Sequence, residues 1–406
     1  YLANTYMRRK PGLSFFAAIL AVLVSSCKVG PDYETPKAKV AEQWSGNYVP
    51  VKQADSAAET LWWQSFEDAV LNQLIDKAYQ NNLSLQIAGA RILEARPRLN
   101  QAIGNLFPQQ QVITGDLNYT RLNDGLISKL PGIDPDHVTD QLLFAATWEI
   151  DFWGKYRRSI EAEEASYLGS VAAYEDALIT LISDVAASYV NIRTLEERLV
   201  VAARNVETQK ESLRIATVQF QAGETGERDV QQAMTQLAQT EAQIPRLEEP
   251  LRQTKNGLAV LLGETPDQID RFLMGPGQIP PPPSQVAAGI PRDLLRRRPD
   301  LRQAELAAAS QSALIGVATA EMYPSFSLSG QLGASANNQG QNSLADIFNW
   351  SSRDLSAGAG FTFPIFNYGR LVNQVRVQDA QFQQAVLNYQ NTVLVAQQEV
   401  ENGLTS

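Results

Sequence analysis

Few residues in this chain could carry chemistry. Cys27 is the only cysteine and His137 the only histidine in 406 residues, which excludes an internal disulfide, a cysteine-built zinc site and most triad chemistry. No nucleophile-and-base set assembles from this inventory, so we expect no catalytic residues, no metal site and no cofactor. His137 falls in a polar stretch, 121–141, read as a loop, where a lone histidine is simply solvated. What remains is the Cys27 thiol and three carboxylates, Asp116, Glu149 and Asp151, set at strand spacing among apolar residues.

The leader accounts for the thiol. Met7-Arg8-Arg9-Lys10 is a positive start, Leu13 to Val24 an apolar run too short to span a bilayer, and Val24-Ser25-Ser26-Cys27 closes it with small residues. The pattern resembles a bacterial lipoprotein signal with a lipobox. That resemblance implies removal of residues 1–26, with 1–6 untranslated, and acylation of Cys27 at its thiol and new amino group. Acyl chains hold a membrane at about 0.8 kcal/mol per buried methylene. Lys28 follows where an aspartate would retain such a lipoprotein at the inner membrane, so the outer membrane is the expected address.

Beyond that leader no run of about 18 apolar residues occurs, so no transmembrane helix is expected. The net charge of −10 becomes more negative once the leader's Arg8, Arg9 and Lys10 are gone, which argues against nucleic acid as a partner.

The carboxylates belong to alternating segments. Ile113, Gly115, Leu117 and Tyr119 alternate with Thr114, Asp116, Asn118 and Thr120; Phe144, Ala146, Trp148 and Ile150 alternate with Ala145, Thr147, Glu149 and Asp151. These spacings predict strands at 109–120 and 142–151, each with an apolar and a polar face. Phe326 to Ala334 and Leu355 to Phe363 repeat the pattern, giving strands at 325–335 and 355–363.

Helices surround the strands. Trp62 to Ala78 and Leu83 to Leu106 read as amphipathic helices, with Pro97 expected to kink or interrupt the second. From Gly154 to Phe220, Leu178, Ile182, Val185, Tyr189, Ile192, Leu199, Ala203 and Val206 follow a 4-3-4-3 seam broken at Glu196, the mark of a coiled coil. As one helix this stretch would reach about 100 Å. A second helix from about Val230 to Leu262 supplies its partner, so 154–262 is a helical hairpin. Gly223 and Gly226 permit the positive φ of a reversal, and Asp229 can cap the returning helix. Pro245 and Pro250 read as bends. Arg296 to Arg298 before Pro299-Asp300 read as a charged helix start.

One unit is written twice. Asn105-Leu106-Phe107-Pro108 answers Glu321-Met322-Tyr323-Pro324, Gly154-Lys155 answers Gly369-Arg370, and Tyr174 answers Tyr389, all offset by about 215 residues. The expected organisation is a leader at 1–26, a lipidated extended segment at 27–60, a first repeat at 61–274, a proline-rich linker at 275–291 and a second repeat at 292–406, with a long helix from 369. The counterpart of the first hairpin's end falls beyond Ser406, so we expect a truncated second repeat that lacks its own tip.

Strands apolar outside and polar inside suit a barrel with lipid around it and water within, and Asp116, Glu149 and Asp151 are then expected to line the pore. Four strands cannot close such a barrel. An open edge in lipid leaves each unpaired backbone group costing several kcal/mol, so copies of the chain must join. Two, three or four copies would give eight, twelve or sixteen strands.

Seven motifs now carry a resemblance: Val29-Gly30-Pro31-Asp32-Tyr33, Trp62-Trp63-Gln64-Ser65-Phe66, Asp151-Phe152-Trp153-Gly154-Lys155, Glu241-Ala242-Gln243-Ile244-Pro245, Ala259-Val260-Leu261-Leu262-Gly263, Leu294-Leu295-Arg296-Arg297-Arg298-Pro299-Asp300 and Phe363-Pro364-Ile365-Phe366. In this order they resemble the outer membrane factor family of TolC-like efflux channels, and within it the NodT-type lipoproteins. The resemblance implies a mixed α and β membrane protein: a homotrimer whose twelve-stranded β-barrel continues into a periplasmic α-helical coiled-coil tunnel. It implies a periplasmic adaptor and an inner membrane pump, commonly of the resistance-nodulation-division class, with the channel as passive conduit for drugs or other toxic solutes. It also carries adaptor contact onto the hairpin tip at Gly223, Glu227, Asp229 and Val230.

Other classes make different demands. A periplasmic adaptor or scaffold lipoprotein would share the leader and the hairpin but lack duplicated two-faced strands. A lipid-anchored hydrolase would need a catalytic set. Metal efflux and type I protein secretion would use the same conduit, and the absence of methionine or histidine clusters favours organic solutes.

Overall fold

The computed structural model describes residues 28–41, 61–123, 135–274, 277–281, 297–339 and 342–405. The leader, Cys27, most of the extended segment to residue 60 and most of the proline-rich linker lie outside the described residues. Two short helices, α1 (Ala69–Asn81) and α2 (Leu83–Gly104), lead to strands β1 (Gln110–Arg121) and β2 (Asp136–Ile150). The 67-residue α3 (Lys155–Gln221) follows, then α4 (Glu227–Glu241) and α5 (Gln243–Leu261). The second half gives α6 (Pro299–Ala320), β3 (Ser325–Asn337), β4 (Arg353–Thr362) and α7 (Arg370–Thr405).

The strands form one antiparallel sheet in the order β1-β2-β3-β4. β2 begins at Asp136, six residues before the expected start, so His137 lies in a strand and not in a loop. Its ladder runs on through Thr120↔His137 and Arg121↔Asp136. Alternation fades there because both faces become polar, while backbone pairing needs no apolar side chains.

Several helix boundaries also differ from expectation. Trp62–Phe66 is a separate 3-10 turn ended by Glu67 at φ 51°, and α1 starts afresh under Asp68, whose Oδ1 accepts from the amides of Val70 (2.8 Å) and Leu71 (3.0 Å). α2 continues through Pro97. The returning helix starts at Glu227, with Gly226 and not Asp229 in the cap position, and breaks for one residue at Ala242. That break puts Pro245 in the first turn of α5, where its missing amide costs little.

Contacts divide the chain into two units, one holding the described parts of residues 1–38, 94–169 and 303–392, the other those of 39–93, 170–302 and 393–406. In the second unit Leu71, Leu74, Ile75 and Ala78 of α1 pack with Val185, Tyr189 and Ile192 of α3, and with Leu258 and Leu262 at the end of the hairpin. The seam of α3 continues through Leu195 and Ala202, with Ala203 exposed. A straight helix drifts about 20° per heptad against a strict repeat. The drift leaves Glu196 half-buried, where it pairs with Arg193 (2.8 Å) and Lys255 (3.2 Å).

Candidate functional site

The sheet separates its residues by chemistry. Partners across the ladder share a face, and the register puts Ile113, Leu117, Phe144, Trp148, Leu328, Leu332, Leu355 and Phe361 on one side. The other side carries Thr114, Asp116, Gln141, Thr147, Glu149, Ser327, Ser329, Gln331 and Ser356. Most of the large apolar side chains are exposed, Ile113 at 74% and Leu355 at 79%. Water on both faces cannot account for that much uncovered apolar surface.

Of the three carboxylates, Asp116 and Glu149 lie on the polar face. Glu149 also accepts from the Tyr156 hydroxyl at 3.2 Å and sits 3.9 Å from Lys155. Burial, then the Glu149 charge, pushes the Tyr156 hydroxyl up to about 12. Asp151 is placed differently from the expectation. It lies one residue beyond β2, its side chain is nearly buried, and it caps α3 by accepting from the amides of Tyr156 and Arg157 at 3.0 Å each. Arg157 Nε donates to the same carboxylate at 3.0 Å. Asp151 is therefore spent on the strand-to-helix junction, off the strand face.

The strand ends that join α2, α3, α6 and α7 lie at one end of the sheet, and the ends at Arg121, Asp136, Asn337 and Arg353 at the other. At the helix end Trp153 stacks on Tyr323 with centroids 4.6 Å apart, and its indole donates to the Pro324 carbonyl at 2.8 Å. Phe152 meets Phe326 edge-on at 5.5 Å. Gly154 at φ 80° lets the chain turn from strand to helix.

Cys27 lies outside the described residues, but the segment after it is seated. Val29 donates to the Trp153 carbonyl at 3.1 Å. Gly30 takes φ 90° against Gly316 of α6, so closely that an added Cβ would stand 2.4 Å from the Gly316 Cα. Arg158, almost fully buried, gathers the segment: Nε donates to the Val29 carbonyl (3.1 Å), Nη2 to the Gly30 carbonyl (3.2 Å) and to Asp32 (2.9 Å), and Nη1 to Glu161 (2.9 Å). The sequence does not single out Arg158, because three of its four partners, two of them backbone carbonyls, lie more than a hundred positions away. The paired glycines were the available signal.

The hairpin tip is exposed and compact. α3 ends with Glu224 N donating to the Gln219 carbonyl (2.9 Å) and Gly223 at φ 78°, a left-handed helix stop. Gly226 has φ −90°, so only Gly223 uses the positive φ that both were expected to provide. Glu227 and Asp229 fall in the first turn of α4, where their charges complement the helix dipole, and Val230 is half-buried beside them.

Comparisons with known proteins agree with this geometry. The family model described as outer membrane efflux protein matches residues 74–264 and 290–406. Nodulation protein T of Rhizobium leguminosarum bv. viciae is 33% identical over 390 residues, spanning 96% of this chain and 77% of that protein. Outer membrane protein OprJ of Pseudomonas aeruginosa is 30% identical over 411 residues, spanning 98% and 81%. Among solved structures, the outer-membrane channel OprN superposes with a TM-score of 0.81 at 30% identity, covering 93% of this chain and 82% of that one.

Proposed function

We propose a function from one premise: the chain belongs to the outer membrane efflux protein family. It is the outer membrane channel of a tripartite efflux system, extending into the periplasm. The sheet's apolar face meets lipid and its polar face, with Asp116 and Glu149, meets the solute path. The channel does no chemistry; an inner membrane pump, reached through a periplasmic adaptor, supplies the energy. The Cys27 thiol carries the lipid anchor, and Gly223, Glu227, Asp229 and Val230 form the adaptor contact.

Three copies close a twelve-stranded barrel, each β4 edge pairing with the β1 edge of the next. One observation carries this reading. Trp153 stacks on Tyr323 within the chain, and the residues that answer these two in the duplicated frame are Tyr368 and Phe107. Both are open to solvent in the single chain, Tyr368 at 100% and Phe107 at 60%. The duplication thus leaves half of a repeated aromatic junction unfilled at each end, and a neighbouring copy fills it. A protein carrying Phe107→Cys and Tyr368→Cys, oxidised in its membrane, is expected to run as a covalent trimer. Monomers under those conditions contradict the arrangement.

A further inference from the structure

We propose that the loop end of the barrel binds a phosphorylated lipid headgroup of the outer leaflet through Arg353, held against Trp350. The proposal rests on the channel reading above, since it takes the apolar face of the sheet to face lipid and the helix end to face the periplasm.

Arg353 is the first residue of β4 and pairs with Ala334, so the register puts it on the apolar, lipid-facing side above Leu355. Its guanidinium stands 4.4 Å from the Trp350 ring centre, a cation–π contact that fixes its direction without neutralising it. Among the described residues no carboxylate lies within ion-pair distance of Arg353. The adjacent Asp354 is on the opposite face, where it accepts from the Ser335 hydroxyl at 2.6 Å.

The surroundings of Arg353 are those of an interface between hydrocarbon and water. Trp350, Phe348 and Leu355 are 79%, 87% and 79% exposed, and Trp350 and Phe348 lie in the two short 3-10 turns just before β4. Aromatic side chains gather at the boundary between hydrocarbon and headgroup. A cation with no counter-charge among the described residues at that depth is complementary to a lipid phosphate. The other edge strand repeats the motif more weakly. Arg121, the last residue of β1, lies on the same face and is only loosely held by Asp136 at 3.8 Å, an acid already taken by the Tyr119 hydroxyl at 2.7 Å. Joining β4 to β1 between copies brings an arginine from each edge to the lipid face at each seam.

The test is native mass spectrometry of the purified protein in detergent, titrated with bis-phosphorylated lipid A and, separately, with lipid A stripped of its phosphates. The wild type is expected to retain the phosphorylated lipid preferentially. Arg353→Gln is expected to lower that occupancy about fivefold, the factor that about 1 kcal/mol per basic group at a membrane surface corresponds to, and Arg353→Lys to lower it less. Equal retention of both lipids by the wild type overturns the proposal without recourse to a variant, as does unchanged occupancy in Arg353→Gln or displacement of the lipid by excess inorganic phosphate. Conductance of the wild type in a planar bilayer is read in parallel. A conducting wild type that fails the lipid test sinks the lipid site alone, whereas a wild type without conductance contradicts the channel reading beneath it.

Discussion

At Arg158 one guanidinium gathers oxygens from the amino-terminal segment and from its own helix. Its side chain is only 4% exposed, whereas Asp32 is 88% exposed and Glu161 keeps Lys28 as a second partner, so removal deprives mainly the Val29 and Gly30 carbonyls of their donor. Arg158→Ala is therefore expected to destabilise the protein by about 2 kcal/mol, the scale of losing hydrogen bonds made by a charged donor, read from denaturant unfolding in detergent. Protease should also cut the freed segment after Cys27 earlier than in the wild type. A loss below about 1 kcal/mol with unchanged proteolysis would contradict the clamp. A lysine offers one ammonium and cannot reproduce the forked donor set. This clamp was not legible in the sequence: Val29-Gly30-Pro31-Asp32-Tyr33 stood out as a motif, but nothing in its spacing names a partner in α3 or α6. Asp151 misled for a related reason. Its place in the alternation suited a strand face, yet the helix after it left free amides that a nearby carboxylate satisfies.

At the scale of elements, the strands were the most legible feature, because burial on one face imposes a period of two that few other structures produce. Gln331 and Leu332 are neighbours on opposite faces of β3, and that contrast can be measured. Leu332→Arg puts a charge into lipid and is expected to cost about 2–4 kcal/mol, seen as loss of folded protein in the outer membrane. Gln331→Arg puts the same charge into the water-filled interior and should leave folding intact. Equal effects would mean that the faces are misassigned. The ends of the strands were less legible, since pairing at Arg121↔Asp136 depends on backbone hydrogen bonds. In the hairpin, the stagger of the seam was not legible because it follows from small drifts in helix phase, and the start of α4 at Glu227 was not because Gly226 takes the extended cap position expected of Asp229. The hairpin tip has a direct test. A Cβ at Gly226 would meet nothing within 4 Å, and its φ is ordinary, so Gly226→Trp should fold and assemble normally. If the adaptor seats on this tip, the bulky ring is expected to abolish efflux at unchanged protein level. Full drug resistance in that variant would remove the tip from the adaptor contact.

For the molecule as a whole, the requirement to join copies follows from four strands with two open edges and an apolar face. The number of copies does not follow from the strands alone, which suit eight, twelve or sixteen. The number three is our proposal, as is the meeting of copies where Phe107 and Tyr368 stand exposed. The apolar face, the polar face and the long helices leaving one end of the sheet all serve one central claim: several copies of this chain enclose a single water-filled path. The most direct test is single-channel recording in a planar bilayer, paired with the oligomeric mass of the same preparation in detergent. The account predicts a trimeric mass and discrete conductance steps, smaller and less cation-preferring when Asp116 and Glu149 are changed to Asn and Gln. A monomeric mass without conductance would contradict it and leave the sheet as the surface of a lipid-anchored scaffold.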